Sequence, residues 1–197
     1  MKTNNYNIFP TPITVIEQFL TETQCNDIIS YCKNLTMKEH DALTGEASSS
    51  FYSETKKLIQ DLSNNVDSCK ELELDLNNYL IDYSVLSGLQ GIAIDNSWIN
   101  VQTINSKLKK HSHPLSSISG ALYLKVDNSS SKLYFYNPNP FIQFSKITGS
   151  TPYTSESVWF EPKVGDLILF PSWLMHGSDN DTNSTEDRTV LSFNTIL

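Results

Sequence analysis

The chain has 197 residues, of which 39% are hydrophobic and 18% are charged, which predicts one globular domain with a sizeable core. Its formal net charge of −8 disfavours nucleic acid as a partner. No stretch approaches the roughly 18 apolar residues of a transmembrane helix, and the N-terminus does not resemble a signal peptide. The three cysteines match no metal-binding spacing, so we expect reduced thiols and a soluble, cytoplasmic protein.

The first half of the chain predicts mainly helices. Residues 8–18 suggest an extended segment, which its prolines restrict to a sheet edge. Thr21 and Gln24 form a capping-box pattern that opens the first helix. Residues 36–50 are small and polar and predict a mobile loop, in which His40 has no evident role. Helices are predicted at about 22–34, 52–62 and 66–87.

The second half predicts short strands separated by Gly, Pro, Asn and Ser turns. Six runs are rich in β-branched or aromatic residues: 97–104, 119–126, 132–137, 157–162, 166–171 and 189–196. Helices followed by closely spaced strands indicate an α+β fold that is mainly β. The expected architecture is a barrel or sandwich supported by the helices. We expect one domain over 1–197, with a helical part at 1–90 and a β core at 91–197.

Two of the four histidines, His111 and His113, are two residues apart. If this stretch is extended, both imidazoles lie on the same face and can chelate one divalent ion. His176, at the end of a late strand, is the candidate third ligand, and imidazole ligands suit iron, copper, nickel or zinc. A pair of surface histidines without metal is the competing interpretation.

Arg188 is the only arginine and opens the last predicted strand. A guanidinium suits bidentate binding of a carboxylate inside a barrel better than lysine does. A surface ion pair with Glu186 or Asp187 is the alternative.

Three segments carry a family resemblance: HSHPLSSISGALYL, PKVGDLILFPSWLMHGSDN and EDRTVLSFN. They resemble a 2-oxoglutarate/Fe(II)-dependent oxygenase family of bacteria and phages, similar to prolyl hydroxylases. The likeness is dense over about 97–197, and IFPTPI and SWINVQ extend it over most of the chain. It implies a double-stranded β-helix core of the jelly-roll or cupin type, with the N-terminal helices packed on one sheet.

The resemblance also implies roles for individual residues. His111 and His176 match the first and the distal iron ligands of the family. Arg188 matches the residue that pairs with the far carboxylate of 2-oxoglutarate. Tyr123 matches a tyrosine that donates to the same carboxylate in prolyl-hydroxylase-like relatives, although a core tyrosine fits this position as well.

Further residues are expected around this site. By strand alternation, Ser192 and Asn194 share a face with Arg188 and are expected to line the cosubstrate pocket. Asn100 is a further inward-facing candidate. Trp173 and Phe170 are expected to form an apolar wall, although core packing is the favoured role of Phe170.

The third metal position departs from the wider superfamily, which keeps a carboxylate where this chain has His113. The H-x-H-P form of the close subfamily implies a three-histidine site. Asp166 and Asp181 remain alternative third ligands. Val190 is a smaller departure, because some relatives place a serine two residues after the arginine.

The implied activity is a dioxygenase, a hydroxylase in particular, that couples oxidative decarboxylation of 2-oxoglutarate to oxidation of a substrate. Its cofactors would be Fe(II) and 2-oxoglutarate, with ascorbate as a reductant. The expected substrate is a small molecule or a protein side chain. If a phage encodes the protein, its expected location is the host cytoplasm. A homodimer is compatible with the sequence. The alternatives are a three-histidine cupin-like dioxygenase that does not use 2-oxoglutarate, and a non-catalytic metal-binding β-sandwich.

Overall fold

The computed structural model describes residues 2–5 and 7–196. Its helices are α1 (Glu22–Cys32), α2 (Leu58–Asn65) and α3 (Leu72–Ser87), with 3₁₀ turns at Asp67–Cys69 and Pro140–Phe144. Thr21 caps α1 through the predicted capping box, in which the Thr21 hydroxyl accepts from Gln24 N–H and the Gln24 side chain accepts from Thr21 N–H. None of the helices among these residues has the length and apolar character needed to cross a membrane.

The strands form a large and a small antiparallel sheet. They are β1 (Thr14–Ile16), β2 (Leu43–Thr44), β3 (Ala47–Ser49), β4 (Ile94–Gln102), β5 (Lys107–Leu108), β6 (Ser116–Lys125), β7 (Leu133–Tyr136), β8 (Ser157–Phe160), β9 (Leu167–Pro171), β10 (His176–Gly177) and β11 (Arg188–Ile196). The large sheet has the order β1-β9-β6-β11-β4-β3, the small one β10-β7-β8, and β2 pairs with β5.

Alternation along the strands of the large sheet gives it two apolar faces. Leu122 and Leu191 point to one face and pack in a core with the buried residues of α1, α2 and α3. Tyr123 and Val190 point to the other face and pack with Leu133 and Phe135 of the small sheet. Two facing sheets with helices on one outer surface are the predicted jelly-roll architecture.

The three cysteines are reduced, as the sequence predicts. Cys25 and Cys32 occupy the buried face of α1, and Cys69 lies in the adjoining 3₁₀ turn. All three are buried free thiols.

Three local predictions are wrong, two of them because of contacts that are distant in sequence. The second helix begins at Leu58 rather than near residue 52, because Ser50 N–H donates to Ile99 carbonyl and Ser97 N–H to Lys56 carbonyl, which ties 50–56 to β4. The third helix begins at Leu72 rather than at residue 66, because Val66 has an extended backbone and Asp67–Cys69 form a separate 3₁₀ turn. The predicted loop 36–50 contains β2 and β3, because they pair with β5 and β4.

Candidate metal and cosubstrate site

Backbone pairing brings His111, His113 and His176 together at one end of the small sheet. The main-chain N–H groups of His111 and His176 each donate to the other residue's carbonyl at 2.9 Å. The N–H of His113 donates to the Ser172 carbonyl, also at 2.9 Å. As a result, one ring nitrogen from each histidine lies within 4.8 Å of those of the other two, which suits a single metal ion.

Hydrogen bonds orient two of the three rings. Nδ1 of His111 lies 2.7 Å from the Lys109 carbonyl, and Nδ1 of His176 lies 2.8 Å from the Leu174 carbonyl. A carbonyl oxygen can only accept, so both Nδ1 atoms carry the proton and both Nε2 atoms keep a free lone pair. This is the tautomer that a metal ligand bound through Nε2 requires.

Burial also keeps the three imidazoles neutral. It lowers the pKa of His111, and it lowers the pKa of His113 to about 3, with His111 and His40 adding to the effect. The pKa of His176 lies well below its ordinary value, first because of burial and then because of the neighbouring His111 and His113. Neutral imidazoles are the form that binds metal, so the donor set fits a divalent transition metal.

The two carboxylates considered as third ligands are engaged elsewhere. Asp166 accepts from the main-chain N–H of Gln18 at 3.0 Å and of Lys163 at 2.9 Å. Asp181 accepts from Lys132 N–H at 2.7 Å. Among the described residues, the cluster suited to a metal contains histidines alone.

Arg188 is buried, with 3% of its surface exposed, at the start of β11. Its Nε donates to the Ser131 carbonyl at 3.2 Å, and one terminal nitrogen donates to Gln102 Oε1 at 2.6 Å. Within residues 2–5 and 7–196 it forms no ion pair, so the surface pair with Glu186 or Asp187 is not formed. Asp187 pairs with Lys125 instead. A buried guanidinium without a carboxylate partner fits a site for an anionic ligand.

Tyr123 lies against this guanidinium. The Arg188 Cζ atom is 5.4 Å from the centre of the Tyr123 ring. Burial raises the pKa of the Tyr123 phenol, and the neighbouring Arg188 charge partly offsets this, so the phenol keeps its proton and can act as a donor.

The three histidines, Arg188 and Tyr123 line one cavity of about 230 Å³ between the sheets. Ser192 and Asn100 also line it, and the Asn100 amide donates to the Ser192 hydroxyl at 3.4 Å. Phe170 contributes both to this wall and to the core between the sheets.

Two residues expected at the site lie elsewhere. Asn194 accepts from the Ser119 hydroxyl at 2.7 Å and donates to Asn96 at 3.2 Å, away from the cavity wall. Trp173 is 50% exposed and does not line the cavity.

Gln102 and His40 also line the cavity, although sequence analysis gives neither of them a role there. Gln102 lies opposite Arg188 in the β4–β11 register, and its alternation with Asn100 is the signal that could have identified it. His40 was interpreted as an isolated loop histidine. The β2–β5 pairing brings its loop to the cavity, where the His40 ring stacks on Tyr52 at 5.3 Å and meets the edge of Phe51.

Comparisons with known proteins agree with this geometry. The family described as "Putative 2OG-Fe(II) oxygenase" matches residues 96–194. No curated protein is found to be similar in sequence. HygX from Streptomyces hygroscopicus, solved with nickel and 2-oxoglutarate bound, superposes with a TM-score of 0.62 at 13% identity, over 94% of this chain and 83% of that one.

Two prolyl hydroxylases share the fold as well. The Pseudomonas putida prolyl-4-hydroxylase aligns with a TM-score of 0.64 at 10% identity, covering 95% of this chain and 94% of that one. A Trichoplax adhaerens prolyl hydroxylase, solved with a hypoxia inducible factor peptide fragment, gives 0.62 at 11% identity over 93% and 83%. At such low sequence identity, these superpositions show only that the double-stranded β-helix fold is shared. The family match, by contrast, is a match in sequence, and it covers the β core with the three histidines and Arg188. The chain therefore belongs to the 2OG-Fe(II) oxygenase family and is a 2-oxoglutarate- and Fe(II)-dependent dioxygenase.

Proposed function

We propose that His111, His113 and His176 hold Fe(II) through their Nε2 atoms, and that Arg188 and Tyr123 bind the far carboxylate of 2-oxoglutarate. One observation carries this assignment: a buried guanidinium without a carboxylate partner shares a cavity with three neutral imidazoles. The three-histidine set replaces one anionic ligand of the wider superfamily with a neutral one. A dianionic cosubstrate at the same site would compensate the metal charge.

When bound, iron and 2-oxoglutarate would supply an oxidation in which dioxygen is the oxidant: one oxygen atom enters succinate as CO2 is released, and the other enters a substrate C–H bond. The protein's own residues bind and orient the cosubstrate and exclude water from the site. Arg188 supplies a positive charge and Tyr123 an O–H donor, and both are buried in the cavity wall. Phe170, Val190 and Leu133 form apolar walls that keep bulk water away from the reacting groups.

We propose hydroxylation as the outcome, on a small molecule or a protein side chain. Structures of the same fold support both substrate classes, since HygX has been solved with hygromycin B bound and a prolyl hydroxylase with a peptide fragment. We further propose that residues 1–197 act as one unit. The buried free thiols are consistent with a reducing, cytoplasmic location.

The test is an anaerobic titration of the Fe(II)-loaded protein with 2-oxoglutarate, followed by metal-to-ligand absorbance and by calorimetry. We expect saturable, metal-dependent binding, and succinate formation once oxygen and ascorbate are added. Arg188→Met should lose 2-oxoglutarate binding and retain stoichiometric metal. Lys125→Met, at an exposed position whose partner Asp187 adjoins Arg188, is the matched control and should bind both normally. Absence of metal-dependent 2-oxoglutarate binding in the unaltered protein would refute the proposal.

A further inference from the structure

We infer that Gln102 is a second binding residue for the far carboxylate of 2-oxoglutarate, and that its side-chain N–H makes the site selective for a carboxylate over an uncharged end. The inference rests on the proposed function and concerns a residue that the family resemblance does not assign. It starts from a buried donor that has no partner in the described structure.

The orientation of the Gln102 amide follows from its neighbour. Gln102 and Arg188 are directly opposed in the β4–β11 register, and Gln102 Oε1 lies 2.6 Å from a terminal nitrogen of Arg188. A guanidinium can only donate, so the atom facing it must be the amide oxygen. The NH2 group of Gln102 is therefore directed away from that contact.

This NH2 group is left unsatisfied. Gln102 has 1% of its surface exposed, and Nε2 has no hydrogen-bond partner among residues 2–5 and 7–196. Buried amide donors are nearly always paired in folded proteins, so an unpaired one on a cavity wall indicates a ligand. Gln102 lines the same cavity as Arg188, Tyr123 and the three histidines.

The missing partner must be a hydrogen-bond acceptor that also neutralises the positive charge of Arg188. Nε2 and Oε1 share one carbon, so the unpaired N–H lies beside the Arg188 guanidinium. A carboxylate with one oxygen toward Arg188 and the other toward Gln102 Nε2 satisfies both groups at once. A terminal amide could accept from one of these donors through its oxygen but would turn its own N–H group toward the other, and a methyl group would leave both unsatisfied.

The competing explanation is that Gln102 only holds Arg188 in place through Oε1. Two measurements test the inference: the first separates a loss at the carboxylate end from general damage to the site, and the second separates donation by Nε2 from support of Arg188. The first is the affinity of the Fe(II)-loaded protein for 2-oxoglutarate and for 2-oxopentanoate, which has a methyl group in place of the far carboxylate. The second is the side-chain amide resonance of Gln102 in the ¹⁵N-labelled protein loaded with Zn(II), before and after addition of 2-oxoglutarate.

We expect Gln102→Met to weaken 2-oxoglutarate binding about 10- to 100-fold, the range typical of a hydrogen bond to a charged group, and to leave the affinity for 2-oxopentanoate unchanged. In the unaltered protein, the Gln102 Nε2 protons should move downfield on addition of 2-oxoglutarate. Gln90→Met, at an exposed position between α3 and β4, is the control and should change neither affinity.

The inference is overturned if Gln102→Met binds 2-oxoglutarate normally, if it weakens both ligands equally, or if the amide resonance stays in place while the affinity falls. In each of these cases the proposed function stands, because the unaltered protein still binds 2-oxoglutarate. If the unaltered protein binds no 2-oxoglutarate, the proposed function itself fails, and this inference fails with it.

Discussion

His111 and His176 form a reciprocal backbone pair, in which each main-chain N–H donates to the other residue's carbonyl at 2.9 Å. The pair joins the segment after β5 to β10, although His111 and His176 are 65 positions apart along the chain. Because main-chain atoms form this link, the positions of two ring ligands do not depend on a bound metal. We therefore expect a preformed site that binds metal with little rearrangement.

Removal of any one of the three clustered imidazoles should abolish tight metal binding. His111→Ala, His113→Ala and His176→Ala each leave two ligands, and metal content after dialysis against Fe(II) or Zn(II) should fall from one equivalent to well below one. His40→Ala is the matched control, because the His40 ring lies outside the metal-ligand cluster although it lines the cavity.

Metal content is measured by elemental analysis, with circular dichroism to establish that each variant is folded. Retention of a full equivalent by a folded His113→Ala protein would show that His113 is not a ligand. Loss of metal from His40→Ala would show that the site extends to the loop between α1 and β2.

Gly177 should be needed to keep β10 close to the segment that carries His111. A methyl group at this position would lie 2.7 Å from the Leu108 carbonyl oxygen and 2.9 Å from that of Lys109. Gly177→Ala should therefore destabilise the fold by about 1–3 kcal/mol and weaken metal binding. Gly149→Ala has open space around the added methyl group and should change neither quantity. Urea unfolding and metal titration measure the two effects, and equal behaviour of the two variants would contradict the prediction.

The packing of α3 on the large sheet should carry much of the stability. Leu76 is fully buried, whereas Leu86, on the same helix, is 66% exposed. Leu76→Ala should lower the free energy of unfolding by about 2–5 kcal/mol through lost burial and a residual cavity. Leu86→Ala should change it by less than about 0.5 kcal/mol. Similar unfolding midpoints in urea for both variants would mean that α3 does not pack as described.

Stability should fall in alkaline solution because of two buried thiols. Burial raises the pKa of Cys25 from 9.0 to about 11 and that of Cys32 from 9.0 to about 12. Above pH 9, the native state therefore keeps protons that the unfolded chain has lost. Stability then decreases as the pH rises toward these values, by up to about 1.4 kcal/mol per pH unit for each thiol.

The measurement is urea unfolding of the unaltered protein and of the Cys25→Ala/Cys32→Ala variant at several values between about pH 8 and 10. The variant starts from a lower stability, but its free energy of unfolding should depend less on pH in this window. Parallel curves for the two proteins would contradict the assignment to these thiols.

Much of the site could be predicted because its residues are rare in this chain. Four histidines and one arginine leave few combinations, and two-residue alternation places His111 and His113 together even though the β5 ladder ends at Leu108. The family motifs then distinguished a metal site from surface histidines. The capping-box pattern likewise predicts the start of α1.

What could not be predicted depends on register between distant strands. Gln102 lies opposite Arg188 only because β4 and β11 pair in one register, and local sequence does not encode this alignment. His40 reaches the cavity because β2 pairs with β5, and a pair of two-residue strands has no periodic signal. Asn194 shares the strand face of Arg188, but Ser119 and Asn96 engage its amide at the other end of β11.

The short strand β1 has a consequence for the solubility of shortened forms of the protein. It covers β9, Leu167–Pro171, all five of whose residues are buried. A chain that begins after Ile16 would expose the edge of this apolar strand that pairs with β1, and the main-chain donors and acceptors of that edge would be unpaired. Such an edge is a template on which a second molecule can add a strand, so the loss of 16 residues far from the histidines in sequence would favour self-association.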